Sequence, residues 1–190
     1  FLRCLAFGLY EYMGAVAPPI PVEGLLKHPP HLFQDDFGVV DMYSTLWDAT
    51  FARPPNRPGS VFVRIDLPPQ ERRMALAREL LSALITSRHG RALGLVDFLM
   101  PDLKDSAEYF ARHLLAPEPL MEAYRRHGGS EDGVAEAFGM PAWRATSIED
   151  FSQKLKHATT LDVPSLLVLP IDYSIDVRIS EELGEGLVAT

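Results

Sequence analysis

Cysteine is almost absent from this 190-residue chain, in which Cys4 stands alone. A single thiol excludes a disulfide framework and a thiolate metal cluster, and it favours a cytoplasmic protein. Positive charge is also scarce, because 18 lysines and arginines face 26 aspartates and glutamates, for a formal net charge of -8. Without a basic field, the chain is not expected to bind nucleic acid or an anionic membrane surface.

Long apolar runs are missing as well. No window approaches the roughly 20 apolar residues that span a bilayer. The N-terminal segment FLRCLAFGLYEYMGAVA imitates a signal peptide, but its apolar run from Leu5 to Tyr10 is too short and is followed by Glu11. It is predicted to be an amphipathic helix.

The common enzyme motifs are absent too. The chain has neither the G-x-S-x-G turn of serine hydrolases nor the G-x-x-x-x-G-K-[ST] loop that binds nucleotide phosphates. Its composition, 47% hydrophobic and 23% charged, is that of a globular protein. This length suits one domain, or one domain with a small appendage.

The clearest local pattern lies in the middle of the chain. SVFVRIDL, residues 60–67, alternates apolar and polar positions and predicts a half-buried strand. Pro68 and Pro69 fit the first turn of a helix that runs to about Arg88, and Gly90 is expected to end it in a left-handed conformation. Within that helix, residues 74, 77, 81 and 84 form one apolar stripe.

Other segments carry weaker patterns. Prolines at 18, 19, 21, 29 and 30 predict an extended strap with helical turns only at Val22 to Lys27. Residues 39–54 have mixed periodicity and are predicted to be helical, with Trp47 and Phe51 as core or contact aromatics. Further helices are predicted after Pro101, from Pro117 to His127, and from Ser130 to Phe138.

The last third of the chain has a helix and a strand. Ser147 and Asp150 form a capping pattern, and the helix that follows precedes an apolar run at residues 164–172. Such a run is typical of a strand buried on both faces. Because no partner strand follows it, we expect it to pair with the 60–67 strand or with a second copy of the chain, as a homodimer.

Residues 21–143 resemble the ImmA/IrrE metallopeptidase family. The resemblance lies in the strand SVFVRIDLPP, the helix RRMALARELLSAL and the later helix DSAEYFARHLLAP. It implies an α+β fold, mostly helical and zincin-like with a small sheet. It also implies two regions, an ImmA/IrrE-like domain at 1–143 and a helix-strand tail at 144–190.

In that family an H-E-x-x-H motif binds zinc, and its glutamate activates the metal-bound water. Here the motif positions hold Arg78, Glu79 and Ser82, and the third, acidic ligand would fall on Asp105 or Ser106. A guanidinium has no lone pair to donate, and a hydroxyl is a poor zinc ligand. The resemblance thus implies a lost metal site with no cofactor, in which Glu79 is a vestigial base and Arg78 pairs with Glu79 or a neighbouring acid.

Two functions follow from this resemblance. A cleft that kept its shape, with Glu108 and His113 as further candidate residues, predicts a catalytically inactive module that binds a protein or peptide and acts as a regulator. Alternatively, Glu79, Glu108 and His113 form a rearranged metal site, and the protein is a hydrolase.

A second resemblance covers residues 134–185, which are similar to the C-terminal end of acetolactate synthases. Its most specific part is IDYS, residues 171–174, after the apolar run. That family holds thiamine diphosphate through a GDG motif and a downstream asparagine, whereas this chain has no GDG and only Asn56. The implied alternative is a fragment or fusion of a thiamine-diphosphate enzyme.

Overall fold

In a computed structural model of the protein, the described residues are 1–14, 17–126, 130, 133, 138, 140–161 and 165–169. The helices are α1 (Leu2–Met13), α2 (Val22–Lys27), α3 (Pro69–Ile85), α4 (Arg88–Ala92), α5 (Leu95–Leu99), α6 (Leu103–Leu115), α7 (Glu118–Arg126) and α8 (Ile148–Thr160). The strands are β1 (Phe37–Met42), β2 (Ala49–Ala52), β3 (Gly59–Arg64), β4 (Ala142–Arg144) and β5 (Leu166–Val168).

The strands form two small sheets. In the first, the order is β1-β3-β2, with β1 parallel and β2 antiparallel to the central strand β3. The second pairs β4 with β5 in parallel. The predicted α+β class is confirmed. Within the described part of the chain, no helix has the length and apolar character needed to cross a membrane.

Helix α3 lies at the centre of the fold and packs against the first sheet on one side and α6 on the other. The predicted stripe of Met74, Ala77, Leu81 and Leu84 is buried, as is Phe110 of α6. Burial of each large apolar side chain stabilises the fold by about 1.5–3 kcal/mol. The core therefore holds α3 rigidly and sets the direction of its polar side chains.

The helix predicted for residues 39–54 is wrong. This segment instead supplies most of β1 and the whole of β2, joined by a loop that contains Trp47. Hydrogen bonding to the two edges of β3 decides the outcome, because both strands depend on a partner distant in sequence. Trp47 is 56% exposed, so it is not a core aromatic.

The end of the central helix also differs from the prediction. Helix α3 ends at Ile85, and Gly90 lies inside the next helix, α4, where its N–H donates to the Ser87 hydroxyl at 2.9 Å. Gly90 is buried, and a Cβ there would lie 2.3 Å from the Ile85 carbonyl oxygen. Glycine is needed at position 90 because the backbone at the end of α3 lies too close for a side chain. It does not end a helix in a left-handed conformation.

The C-terminal part confirms one prediction and corrects another. The Ser147 hydroxyl accepts the Asp150 N–H at 3.1 Å, which is the predicted cap of α8. Strand β5 pairs with β4, so the predicted pairing with β3 is wrong, whereas association with a second copy of the chain stays a prediction. The strand β4 is three residues long, too short to stand out in the sequence, and it covers one edge of β5. Residues 171–174 and most of the helix predicted at 130–138 lie outside the described residues.

Candidate functional site

A cleft of about 520 Å³ opens between the middle of α3, the start of α6 and the start of β2. Helix α3 forms its floor, α6 one wall, and β2 with the preceding loop the other. It is lined by Trp47, Asp48, Ala49, Ala75, Arg78, Glu79, Ser82, Leu103, Lys104 and Ala107. All three residues at the motif positions of the α3 helix therefore face this one cleft.

Arg78 forms an ion pair across the cleft floor. Its Nη1 lies 3.5 Å from Oε2 of Glu108 on α6, and both side chains are about a quarter exposed. The other carboxylate oxygen of Glu108 accepts a hydrogen bond from Nε of Arg112 at 2.8 Å. The expectation that Arg78 pairs with a neighbouring acid is thus confirmed. The positive charge of Arg78 is thus held in place by a carboxylate.

Glu79 is the most deeply placed acid of the cleft. Burial raises its pKa above the usual value of 4.5, and three weaker influences oppose that rise: the Phe51 backbone N–H, the Ser82 hydroxyl and the charge of Arg78. Both hydrogen-bond donors stabilise the carboxylate form. The Glu79 carboxylate thus accepts hydrogen bonds from strand β2 and from its own helix, α3.

The wall of the cleft formed by β2 is a free strand edge, where no further strand pairs with β2 in the described part of the chain. The Arg64 N–H donates to the Asp48 backbone carbonyl at 2.8 Å, so the backbone groups of Asp48 point toward β3. Because outward and inward groups alternate along an antiparallel strand, Ala49 and Phe51 point their backbone groups away from β3. The Phe51 N–H bonds to Glu79, and Ala49, whose backbone groups also point away from β3, lines the cleft.

The remaining candidate residues lie elsewhere. Asp105 is exposed and Ser106 half-buried, and neither lines the cleft. His113 packs on the Tyr109 ring, with centroids 4.4 Å apart, and borders a separate groove beside α1 that includes Cys4. The structure therefore does not bring His113 together with Glu79 and Glu108. Among the described residues, no three histidine, cysteine, aspartate or glutamate side chains lie close enough together to hold a metal ion.

Sequence reasoning missed two cleft residues, Trp47 and Lys104. Trp47 is predicted to lie in a helix as a core or contact aromatic, whereas it is an exposed aromatic just before an edge strand. Lys104 sits in the first turn of α6, where a lysine is unfavourable to the helix dipole. A lysine at this unfavourable position is the feature of the sequence that could have indicated a functional role for Lys104.

Comparison with known proteins adds a likeness in fold. No protein-family model and no curated protein matches the chain. A transcriptional regulator of Mycobacterium tuberculosis of known structure is similar over 73% of this chain, with 18% sequence identity and a TM-score of 0.50. The match spans 42% of the regulator's own chain. At this level of identity, the likeness concerns the fold.

Proposed function

We propose that the protein is a catalytically inactive relative of the ImmA/IrrE metallopeptidases, with a zincin-like fold, whose cleft binds an extended peptide segment of a regulatory partner. One observation carries the proposal: the polar groups at the motif positions are bonded to the protein itself. Arg78 pairs with Glu108, and Glu79 accepts bonds from Phe51 and Ser82. Without histidines at positions 78 and 82 to hold a metal ion, Glu79 has no metal-bound water to activate, and its hydrogen bonds give it a structural role.

The free edge of β2 supports a peptide as the occupant. The outward backbone groups of Ala49 can bond to an extended chain added beside the strand, which is a common mode of peptide recognition. Trp47, 56% exposed, offers an apolar contact at one wall. Lys104, at the other wall, has no ion pair or side-chain hydrogen bond among the described residues and favours an acidic residue in the peptide. The expected peptide is extended, with an aromatic or aliphatic residue near an acid.

A regulatory role agrees with two further facts. The similar mycobacterial protein is described as a transcriptional regulator, and the match covers less than half of it. The net charge of -8 of this chain disfavours direct contact with nucleic acid. We therefore propose that this chain contributes a protein contact to regulation, and that any DNA contact comes from a partner.

The test begins with peptides selected from a displayed library on the wild-type protein, whose affinities are then measured by fluorescence polarisation. Ala49→Pro removes an outward N–H without removing a bond to β3, and proline is tolerated at such edge positions. Trp47→Ala removes the aromatic contact. Phe98→Ala is the control, because Phe98 is 72% exposed on α5 and does not line the cleft.

We expect both cleft variants to weaken binding by about tenfold or more, as loss of a central contact does, and the control to bind as the wild type. Selection of no peptide above background, or equal binding by all variants, would contradict the proposal. Cleavage of a selected peptide that is lost in Glu79→Gln would replace it with the hydrolase alternative.

A further inference from the structure

A second cleft, of about 570 Å³, lies where α3 ends and α4 begins. Its lining consists of Asp35, Asp36, Arg53, Asn56, Arg57, Pro58, Thr86, Arg88 and Arg91. It shares no lining residue with the first cleft. Four guanidinium groups face two carboxylates there, so it carries an excess of two positive charges on a chain that is acidic overall.

Arg53 has a structural role in this cleft. Its side chain is 8% exposed and donates to the Asp36 carboxylate at 2.8 Å, the Asp36 carbonyl at 2.9 Å and the Ala83 carbonyl at 3.2 Å. It also stacks on the Phe51 ring, 5.3 Å from its centroid. Arg53 and Asp36 thus neutralise each other, and neither charge is available to a ligand.

The other three arginines are differently placed. Arg57 and Arg88 have no ion pair or side-chain hydrogen bond within the described part of the chain, and Arg91 donates only to the Thr86 carbonyl, at 2.8 Å. Arg88 and Arg91 are three residues apart on α4, on one helix face. Arg57 approaches from the loop before β3 and follows Asn56, whose φ is 58°. Separate elements therefore bring three guanidinium groups to one cavity.

We propose that this second cleft binds a phosphate group, either free or as the monoester of a small metabolite. Guanidinium groups bind phosphate oxygens in a fork geometry, and a dianion matches the excess of two positive charges. The cavity is larger than a phosphate, so it has room for an attached group. Asp35 and Asn56 also line it, and both can hydrogen-bond the hydroxyl groups of a sugar.

The experiment is calorimetric titration of the full chain with inorganic phosphate, ribose 5-phosphate and adenosine 5′-monophosphate, with adenosine as the uncharged control. The variants are Arg57→Gln, Arg88→Gln and the two combined. Arg3→Gln removes the same charge from the exposed surface of α1 and is the matched control. Thermal melting of each variant checks that the fold is intact.

At least one of the phosphate compounds should bind, with affinity that falls as salt rises. The combined variant should bind about tenfold or more weakly, since each charge-assisted bond is strong, and Arg3→Gln should bind normally. Tighter binding of an ester than of inorganic phosphate would assign a phosphorylated metabolite, and the reverse would assign free phosphate. Absence of binding by all three, or equal binding by the combined variant and the wild type, would overturn the proposal.

Discussion

The Arg78 guanidinium lies 3.5 Å from the Glu108 carboxylate, and this pair joins the floor of the first cleft to its α6 wall. Both side chains are partly exposed, so the pair is screened by water. A double-mutant cycle with Arg78→Ala and Glu108→Ala should give a coupling energy of no more than about 1 kcal/mol in urea unfolding. A coupling energy of several kcal/mol would contradict this, because it would mean that water screens the pair less than its exposure indicates.

Introduction of two histidines at positions 78 and 82 is a test of the family resemblance. Arg78→His with Ser82→His should raise zinc affinity at least about tenfold over the wild type, because two imidazoles replace a cation and a hydroxyl. Zinc titration followed by elemental analysis measures this. Since Glu108 is the acid beside Arg78, addition of Glu108→Gln should reverse part of the gain. No gain in the double variant would mean that the two positions do not converge on a metal.

Glu79 should make stability depend on pH. Its pKa is raised in the folded state, so the folded protein holds this proton more tightly than the unfolded chain does. The resulting contribution to the free energy of unfolding is present below the unfolded pKa and is lost as pH rises through the folded pKa. Glu79→Gln should therefore gain stability relative to the wild type as pH rises from 4 to about 7.

Urea unfolding at several pH values measures the effect of this substitution. The control is Glu71→Gln, which removes the same charge from the exposed first turn of α3. Identical pH profiles for the wild type and Glu79→Gln would contradict the prediction.

Substitution of Arg53 should lower the stability of the protein more than substitution of most other charged residues. Arg53→Met would remove its bonds to Asp36 and Ala83 and leave the Asp36 carboxylate without its counter-charge. Loss of one partner of a buried pair costs about 3–5 kcal/mol, which unfolding measurements would detect. Addition of Asp36→Asn should restore part of that loss. Arg64→Met, which breaks a more exposed pair with Asp48, should cost about 1 kcal/mol or less.

Gly59 tests the packing between β2 and β3. A Cβ at this position would lie 2.3 Å from the Phe51 ring, so Gly59→Ala should destabilise the protein by about 1–3 kcal/mol. Gly38→Ala on β1 is the control, because no atom lies within 4 Å of its Cβ position. Phe51→Leu should partly rescue Gly59→Ala. A loss of equal size at both glycines would point to strand propensity rather than to the contact.

The sequence by itself determined the features that depend on neighbouring residues. The apolar stripe of α3 follows from its periodicity, and the cap at Ser147 from a side chain that bonds three residues ahead. The strand before α3 was predicted because its alternation is local. The absence of histidine from the motif positions was also readable directly.

Only the tertiary structure decided the features that depend on distant partners. Residues 39–54 form strands because β3 offers both of its edges, and β5 pairs with a three-residue strand too short to predict. The partner of Arg78 lies 30 positions away on another helix, and the Phe51 N–H reaches Glu79 only after β2 has docked. The three arginines of the second cleft meet because a loop and a short helix converge at the end of α3, a proximity that no local pattern encodes.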